Sequence, residues 1–441
     1  MTSDDEQIEK IVELAREGAS LIKNQDFIRL ISHNDSDGIT SAAILIQALN
    51  RIEIPFHASI VSRLNESVVN DVNNSIKEND LVIFCDMGSG QPELIKQINT
   101  DVLVIDHHQP VGNSPSKVMV NPHMAGIEGS YYLSASGTTY LVCKELSSDN
   151  IDLAGLAITG AIGDKQLFES ANATILKEAI ENNVISIQKG LKVGSGEIGD
   201  VLENTLEPFL DITGDREKIN KFLDFLNLSG DISELSYEDM KKLTSSIALK
   251  LAKRASPEAV DAVIGEIYYL NNEVVPNVYD LVSILDTCGK QDKSSLAIAL
   301  CLRDKSVVQE ASAVTKESQK RIIQEIKECE SLVKDMENIK YLQAENLDSI
   351  GSISGIMVRY LYPNKPFIGM NETEGIVKVS GRATRSLIGK GVDLATAFRD
   401  AATNVGGNGG GHSIASGATI PPGKQEEFVT KVNEIVGIQT K

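Results

Sequence analysis

Four short clusters hold the side chains that can do chemistry in this sequence: His33-Asn34-Asp35-Ser36-Asp37-Gly38, Asp86, Asp106-His107-His108 and Asp164. Carboxylates gathered without cations repel and raise one another's pKa, and divalent metals remove that conflict. A mixed carboxylate and imidazole set suits Mn, Zn or Fe better than Ca. Two such ions about 3.5–4 Å apart can clamp a phosphoryl group for in-line attack. Gly38 fits as the residue that lets the chain turn from loop into helix. Each piece has an ordinary reading as well. An Asp after a strand often caps a helix or forms a turn, and a His-His pair alone is usually surface or structural. The conjunction, in this order, favours a two-metal site.

The surrounding elements alternate. Residues 27–32, 56–61, 80–85 and 101–105 read as strands, and 38–51, 66–78, 92–98, 134–146 and 152–162 as helices. The runs DLVIFC and DVLVI are nearly all apolar, as in strands covered on both faces. Strand and helix at this spacing give a doubly wound parallel sheet. Ligands gather at the carboxyl ends of such strands, where strand order reverses, and three strands here end in Asp or His. From 175 to 335 strand signals are scarce, and 311–336 reads as one long connecting helix. Strands are expected again at 340–343, 367–370 and 375–379, helices at 353–361 and 423–436, and a glycine-rich loop at 406–411. The expected fold class is α/β. A metal-binding domain over 1–175 is joined through a helical middle and connecting helix, 176–336, to a smaller α/β domain over 337–441.

The 441-residue chain carries 42 Lys and Arg against 62 Asp and Glu, a net charge of −20. That argues against a chain-wide electrostatic footprint for nucleic acid and disfavours anionic membranes. A local basic groove or an acidic metal cluster stays open. There is no Trp and aromatics are 5%, so a base-stacking platform is thinly supplied. The start, MTSDDEQIEK, has no basic and then apolar run, so no signal peptide is expected, and no stretch of 18 apolar residues suggests a membrane span. Five scattered cysteines without a CxxC pair read as thiols of a reducing cytoplasm.

The chain resembles the DHH phosphoesterase superfamily, named for the triplet seen here as Asp106-His107-His108. The four motifs follow the family's order over residues 32–165. Ser380-Gly381-Arg382 and Gly409-Gly410-Gly411-His412 resemble the DHHA1 substrate-binding domain, and residues 281–302 resemble the archaeal RecJ-like subgroup. The resemblance implies roles. Asp35 and Asp37 would bind different metals of a pair of Mn2+ or Mg2+ ions, and Asp86 would bridge both. His107 and Asp164 would complete the second ion's shell. His33 would serve the first, at a spacing shorter than the HxxxDxD of some relatives. His108 would touch the scissile phosphate, and Asp106 would orient an imidazole by accepting its N–H.

The glycine loop reads either as a hinge or as a backbone cradle for phosphate, the reading the resemblance favours. Residues 375–392 contain Lys378, Arg382, Arg385 and Lys390 and no acid. That is either a solvated face or, through Arg382, a phosphate clamp, with His412 meeting the terminal phosphate or a base. A looser cluster, Lys241, Lys242, Lys250, Lys253 and Arg254, reads as helical surface. The resemblance implies a RecJ-like exonuclease acting on single-stranded DNA or RNA ends and releasing mononucleotides. Bacterial RecJ carries a further OB domain, which this chain has no room for, so a weaker grip on long strands is expected. Two alternatives stand beside it. One is a phosphoesterase for short oligonucleotides or small nucleotides. The other is a replisome component with a scaffold role, bound to the GINS complex.

Overall fold

The computed structural model describes residues 3–347, 349–373 and 375–441, so Met1, Thr2, Asp348 and Glu374, which fall inside the outer expected domains, lie outside the described residues. The chain forms two compact units. One holds Ile267–Thr315 and the chain up to Gln188; the other holds Lys189–Glu266 and Lys316–Lys441. Residues 176–336 are thus divided between the two.

In the first unit five strands form a parallel sheet: β1 (Ile28–His33), β2 (Phe56–Val61), β3 (Leu81–Cys85), β4 (Val102–Ile105) and β5 (Val118–Val120). Their order is β2-β1-β3-β4-β5. The chain leaves β1 toward one edge and returns at β3 to build toward the other. The reversal lies between the carboxyl ends of β1 and β3, where an open α/β sheet binds its ligand. β3 and β4 are buried along their whole length, which explains why DLVIFC and DVLVI lack the alternation of a half-exposed strand. The mostly half-buried β2 sits at an edge. Helix Ser36–Arg51 follows β1 and packs against helices Ala135–Leu146 and Ala154–Gly163. An opening helix, Ser3–Lys23, buries Ile11, Ala15, Ala19 and Ile22 on one stripe, a period of 3.6.

Two further strands, β6 (Ile185–Leu191) and β7 (Ile264–Leu270), pair in a region expected to be helical. Lys and Gln inside ISIQKGL hid the strand. The long helix runs Val308–Glu330, three residues earlier at its start than expected and six shorter at its end.

The second unit contains β8 (Lys334–Asp335), β9 (Lys340–Glu345), β10 (Phe367–Thr373), β11 (Ile376–Arg382), β12 (Asn408–Gly411) and β13 (Ala415–Ile420), ordered β12-β13-β11-β10-β9-β8. Only β9 and β10 run parallel. β12 corrects the expected loop at 406–411: its last four residues are an edge strand paired with β13. Three of the glycines, Gly407, Gly409 and Gly411, are required by close packing. A Cβ on Gly409 would stand 2.7 Å from the Phe398 carbonyl oxygen and 3.0 Å from the Ala402 methyl, so helix Leu394–Asn404 lies on the strand only because the side chain is missing. All five cysteines are free and buried. Among the described residues no helix is long and apolar enough to cross a membrane.

Phe84 in β3 is wholly buried. Phe84→Ala is expected to lower unfolding stability by about 3–5 kcal/mol, read as a lower midpoint in urea at an unchanged slope.

Candidate metal centre

The switch point gathers the residues singled out in the sequence. His33 ends β1, Asp86 follows β3, and Asp106, His107 and His108 follow β4. Asp35 and Asp37 stand at the start of helix Ser36–Arg51, and Asp164 at the end of helix Ala154–Gly163.

Three sets of possible ligand atoms result. One joins Asp86 and His107 to Asp106 and His108. The other two are distinct from each other. In one, His33, Asp35 and Asp86 each offer an atom within 4.8 Å of the others; in the second, Asp37, His107 and Asp164 do the same. His33 Nδ1 lies 2.8 Å from Asp35 Oδ2 and 3.4 Å from Asp86 Oδ2. His107 Nε2 lies 3.3 Å from Asp164 Oδ2, 3.4 Å from Asp86 Oδ1 and 3.9 Å from Asp37 Oδ2. The two oxygens of Asp86 therefore face different sets. Asp86 Oδ1 is buried and makes no hydrogen bond, a costly state for a carboxylate oxygen unless a cation meets it. Asp86 also has a φ of +57°, a left-handed conformation that costs a non-glycine residue energy and clusters at functional sites. Oxygen and imidazole donors around an orphaned carboxylate oxygen fit divalent ions.

Each ligand candidate is held by its own local structure. Asp35 Oδ1 caps the helix by accepting the Gly38 N–H at 3.0 Å, which leaves Oδ2 for the site. The cap is thus formed by one oxygen of Asp35, and the other remains a candidate ligand atom. Gly38 is needed for closeness: a Cβ there would stand 2.5 Å from the His33 carbonyl oxygen. Asp37 is fully buried and accepts N–H bonds from Ala135 at 2.7 Å and Ser136 at 2.9 Å, the first residues of helix Ala135–Leu146. The positive end of that helix steadies the carboxylate. A Cβ on Gly160 would stand 2.3 Å from Asp37 Oδ1, so that glycine leaves the room Asp37 occupies. Asp164 has the opposite setting. It sits at the carboxyl end of its helix, where the dipole disfavours a negative charge.

His107 Nδ1 lies 2.9 Å from the Gly129 carbonyl oxygen, which accepts its N–H and turns Nε2 toward the carboxylates. Gln166 donates to the same oxygen at 2.8 Å, and Asn172 donates to Gln166 at 2.8 Å. Sequence reading missed this support; the one local signal was an amide two residues after Asp164. Asp106 is wholly buried. Its Oδ1 accepts from the backbone of His107 at 2.7 Å and meets the His108 ring at 2.8 Å, and its Oδ2 accepts from Ser89 at 2.9 Å. The imidazole that Asp106 orients is that of His108, which is exposed on its other side.

The charges are in conflict without cations. Burial and the Asp86 charge push the Asp37 carboxyl up to about 6. Burial and then Asp37 hold Asp164 well above the usual carboxylate range. Burial opposes the charged form of His33, yet its bonds to Asp35 and Asp86 raise it to about 11. Burial also opposes a charged Asp35, but His33 keeps it down at about 2. His107 is raised in the same way, burial being outweighed by the nearby charges of Asp86 and Asp37. Protons thus supply the positive charge the cluster demands, and a metal ion competes for the same lone pairs.

Arg382 ends β11, with its Nη1 donating to the Gly381 carbonyl oxygen at 2.9 Å. Burial and then the neighbouring Arg359 lower its pKa, and among the described residues no carboxylate pairs with it. Gly409, Gly410 and Gly411 lie in β12, and exposed His412 opens the tight turn to β13. An edge strand leaves alternate N–H groups unpaired. In the looser cluster Lys242 donates to the Leu226 carbonyl oxygen and Lys250 pairs with Asp211, as a helical surface would.

Two family models match the chain: the DHH family, N-terminal domain, over residues 27–161, and the DHHA1 domain over residues 338–437. An uncharacterized protein of Methanocaldococcus jannaschii is 32% identical over 447 residues, which is 99% of this chain and 98% of its own. The single-stranded-DNA-specific exonuclease RecJ of Thermus thermophilus is 25% identical over 296 residues, 61% of this chain and 44% of its own length. A crystal structure of RecJ in complex with Mn2+ from that organism matches with a TM-score of 0.63 at 16% identity, over 97% of this chain and 55% of that one. A second holds Mg2+. CDC45 from Entamoeba histolytica matches with a TM-score of 0.65 at 14% identity, over 98% of each chain. At such identities the likeness shows the fold. The chain spans about half the length of the RecJ it matches. The acidic cluster, with its orphaned Asp86 oxygen, supports divalent metal binding.

Asp164→Asn removes one charge from the crowded cluster. Its melting temperature in EDTA is expected to rise by about 2–4 °C, as for about 1 kcal/mol in a unit of this size. Added Mn2+ should stabilise the variant less than the unaltered protein. A variant that melts lower in EDTA, or gains as much from Mn2+, would contradict the repulsion described.

Proposed function

Because the chain belongs to the DHH superfamily as a RecJ-like protein with a DHHA1 domain, we propose that it is a divalent-metal-dependent phosphodiesterase. In this reading it trims single-stranded DNA or RNA from an end and releases mononucleotides. The observation that carries the reading is Asp86, whose two oxygens face two separate ligand sets while one has no hydrogen bond. His33, Asp35 and Asp86 would hold one ion; Asp37, His107, Asp164 and the other oxygen of Asp86 would hold the second. Mn2+ suits the mixed donors, with Mg2+ as the other candidate. Two ions held there supply charge neutralisation for a phosphoryl group and lower the pKa of water.

The protein's own groups do the rest. Gly129 fixes the tautomer of His107, and the Asp37 carboxylate is pinned by two backbone N–H groups. Asp106 holds the His108 ring by Nδ1, which leaves Nε2 for a non-bridging oxygen of the scissile phosphate. Arg382, which pairs with no carboxylate among the described residues, is assigned to a phosphate of the substrate. The unpaired edge of Gly409, Gly410 and Gly411 and the exposed ring of His412 are assigned to the same task. The proposed division is a catalytic domain over 1–175, a substrate domain over 337–441 and, between them in sequence, a mostly helical middle over 176–336 that also carries β6 and β7.

Two readings remain beside this one, each with an observation in its favour. A net charge of −20 with no Trp favours short oligonucleotides over long strands. The likeness to CDC45 favours a replisome role, with GINS as the partner to test. In a Mn2+ assay on single-stranded DNA and RNA labelled at either end, stepwise release of mononucleotides from one end is the expected result. Asp86→Ala should cut that rate by about a thousandfold or more. It should leave any capture of GINS subunits unchanged. Faster turnover of a dinucleotide than of a longer strand would replace the exonuclease reading with the short-substrate one. Hydrolysis that survives in Asp86→Ala would contradict the site.

A further inference from the structure

We infer that helix Val278–Lys290, which lies outside both matched family segments, belongs to the metal-holding apparatus, with Asp286 as the positioning residue for the Asp35–Asp37 loop. This rests on the metal reading above. The loop between β1 and helix Ser36–Arg51 supplies two of the proposed ligands, Asp35 and Asp37, so its backbone position sets where their carboxylates stand. Ser36 lies between them and is the first residue of its helix, so its N–H has no partner within the helix. Asp286 Oδ1 accepts that N–H at 2.9 Å. Asp35 Oδ1 is already occupied by the Gly38 N–H. With Asp286 capping Ser36 and Asp35 capping Gly38, the second oxygen of Asp35 stays beside His33.

Two more contacts tie the same pieces together. Asn34 Nδ2 donates to the Gly289 carbonyl oxygen at 3.0 Å. A Cβ on Gly289 would stand 1.7 Å from the Asn34 carbonyl oxygen, so helix and loop approach as closely as backbones can. The helix also reaches the other side of the centre. Val282 Cγ1 is 3.8 Å from where a Cβ of Gly163 would be, next to Asp164. The segment is itself anchored. Arg303 bonds Asp152 at 2.8 Å and Glu273 at 3.1 Å, and Arg51 of the helix after the loop bonds the same Asp152 at 2.7 Å. This bracket explains why residues 267–315 share one compact unit with the parallel sheet although residues 189–266, which belong to the other unit, intervene in sequence. Side groups that hold ligands in place commonly set metal affinity by about 10- to 100-fold.

The test measures Mn2+ affinity by titration calorimetry on the full chain, beside melting in EDTA. Asp286→Ala should bind Mn2+ about 10- to 100-fold more weakly, whereas Asp286→Asn, which keeps an oxygen for the Ser36 N–H, should bind as the unaltered protein does. A merely structural role would lower the EDTA melting temperature and leave the affinity of the folded protein unchanged. If Asp286→Ala does not fold, Asn34→Ala reads the same bracket and should weaken Mn2+ as well. Unchanged Mn2+ affinity in the folded variant, or equal weakening in Asp286→Asn, overturns the inference while the metal reading stands. Failure of the unaltered protein to bind Mn2+ overturns both.

Discussion

Four carboxylates that cannot comfortably share one buried space govern this molecule. Asp35, Asp37, Asp86 and Asp164 meet two imidazoles at the reversal of the parallel sheet, and their mutual repulsion is relieved by protons, on the histidines or on the carboxyls themselves, or by cations. The surrounding structure bears the cost. Asp86 keeps a left-handed backbone conformation and a buried oxygen without a hydrogen bond. Asp164 stands at the unfavourable end of its helix. Stability is given up at these positions, and the gain lies in charge held ready for metal.

The neighbourhood is built to keep those charges from moving apart. Asp37 is fixed by the amino end of helix Ala135–Leu146, His107 by the Gly129 carbonyl oxygen, Asp35 by its own helix cap and, through Ser36, by Asp286. Glycines at 38, 129, 160 and 289 stand where a Cβ would come within 2.5 Å of another residue's oxygen. They are spacers that let ligand-bearing segments approach, which residue types alone did not announce.

Much of this was legible in the sequence, for reasons that differ by element. β1, β3 and β4 are apolar runs that end in or are followed at once by Asp or His, so these strands and the candidate residues beside them could be read from the sequence. The opening helix carries a regular apolar stripe at Ile11, Ala15, Ala19 and Ile22, yet its acidic start drew attention to compartment and away from packing. β6 hid because its outward side chains are those of a helix surface. The glycine run at 406–411 read as a loop because glycine lowers strand propensity; what decided otherwise was a helix lying on it, a tertiary contact. Asp286 was beyond reach for the same reason, since it lies about 250 positions from the backbone it caps. Net charge misled least where it was divided: part of the −20 belongs to the acidic cluster at the sheet's reversal, while among the described residues Arg382 has no carboxylate partner.

The central claim is that Asp86 joins two metal positions. A crystal of the protein grown with Mn2+ and measured at the manganese absorption edge tests it directly. Two anomalous peaks about 3.5–4 Å apart, one beside His33 and Asp35, the other beside Asp37, His107 and Asp164, with Asp86 touching both, is the result predicted. One peak, or peaks away from Asp86, would contradict it.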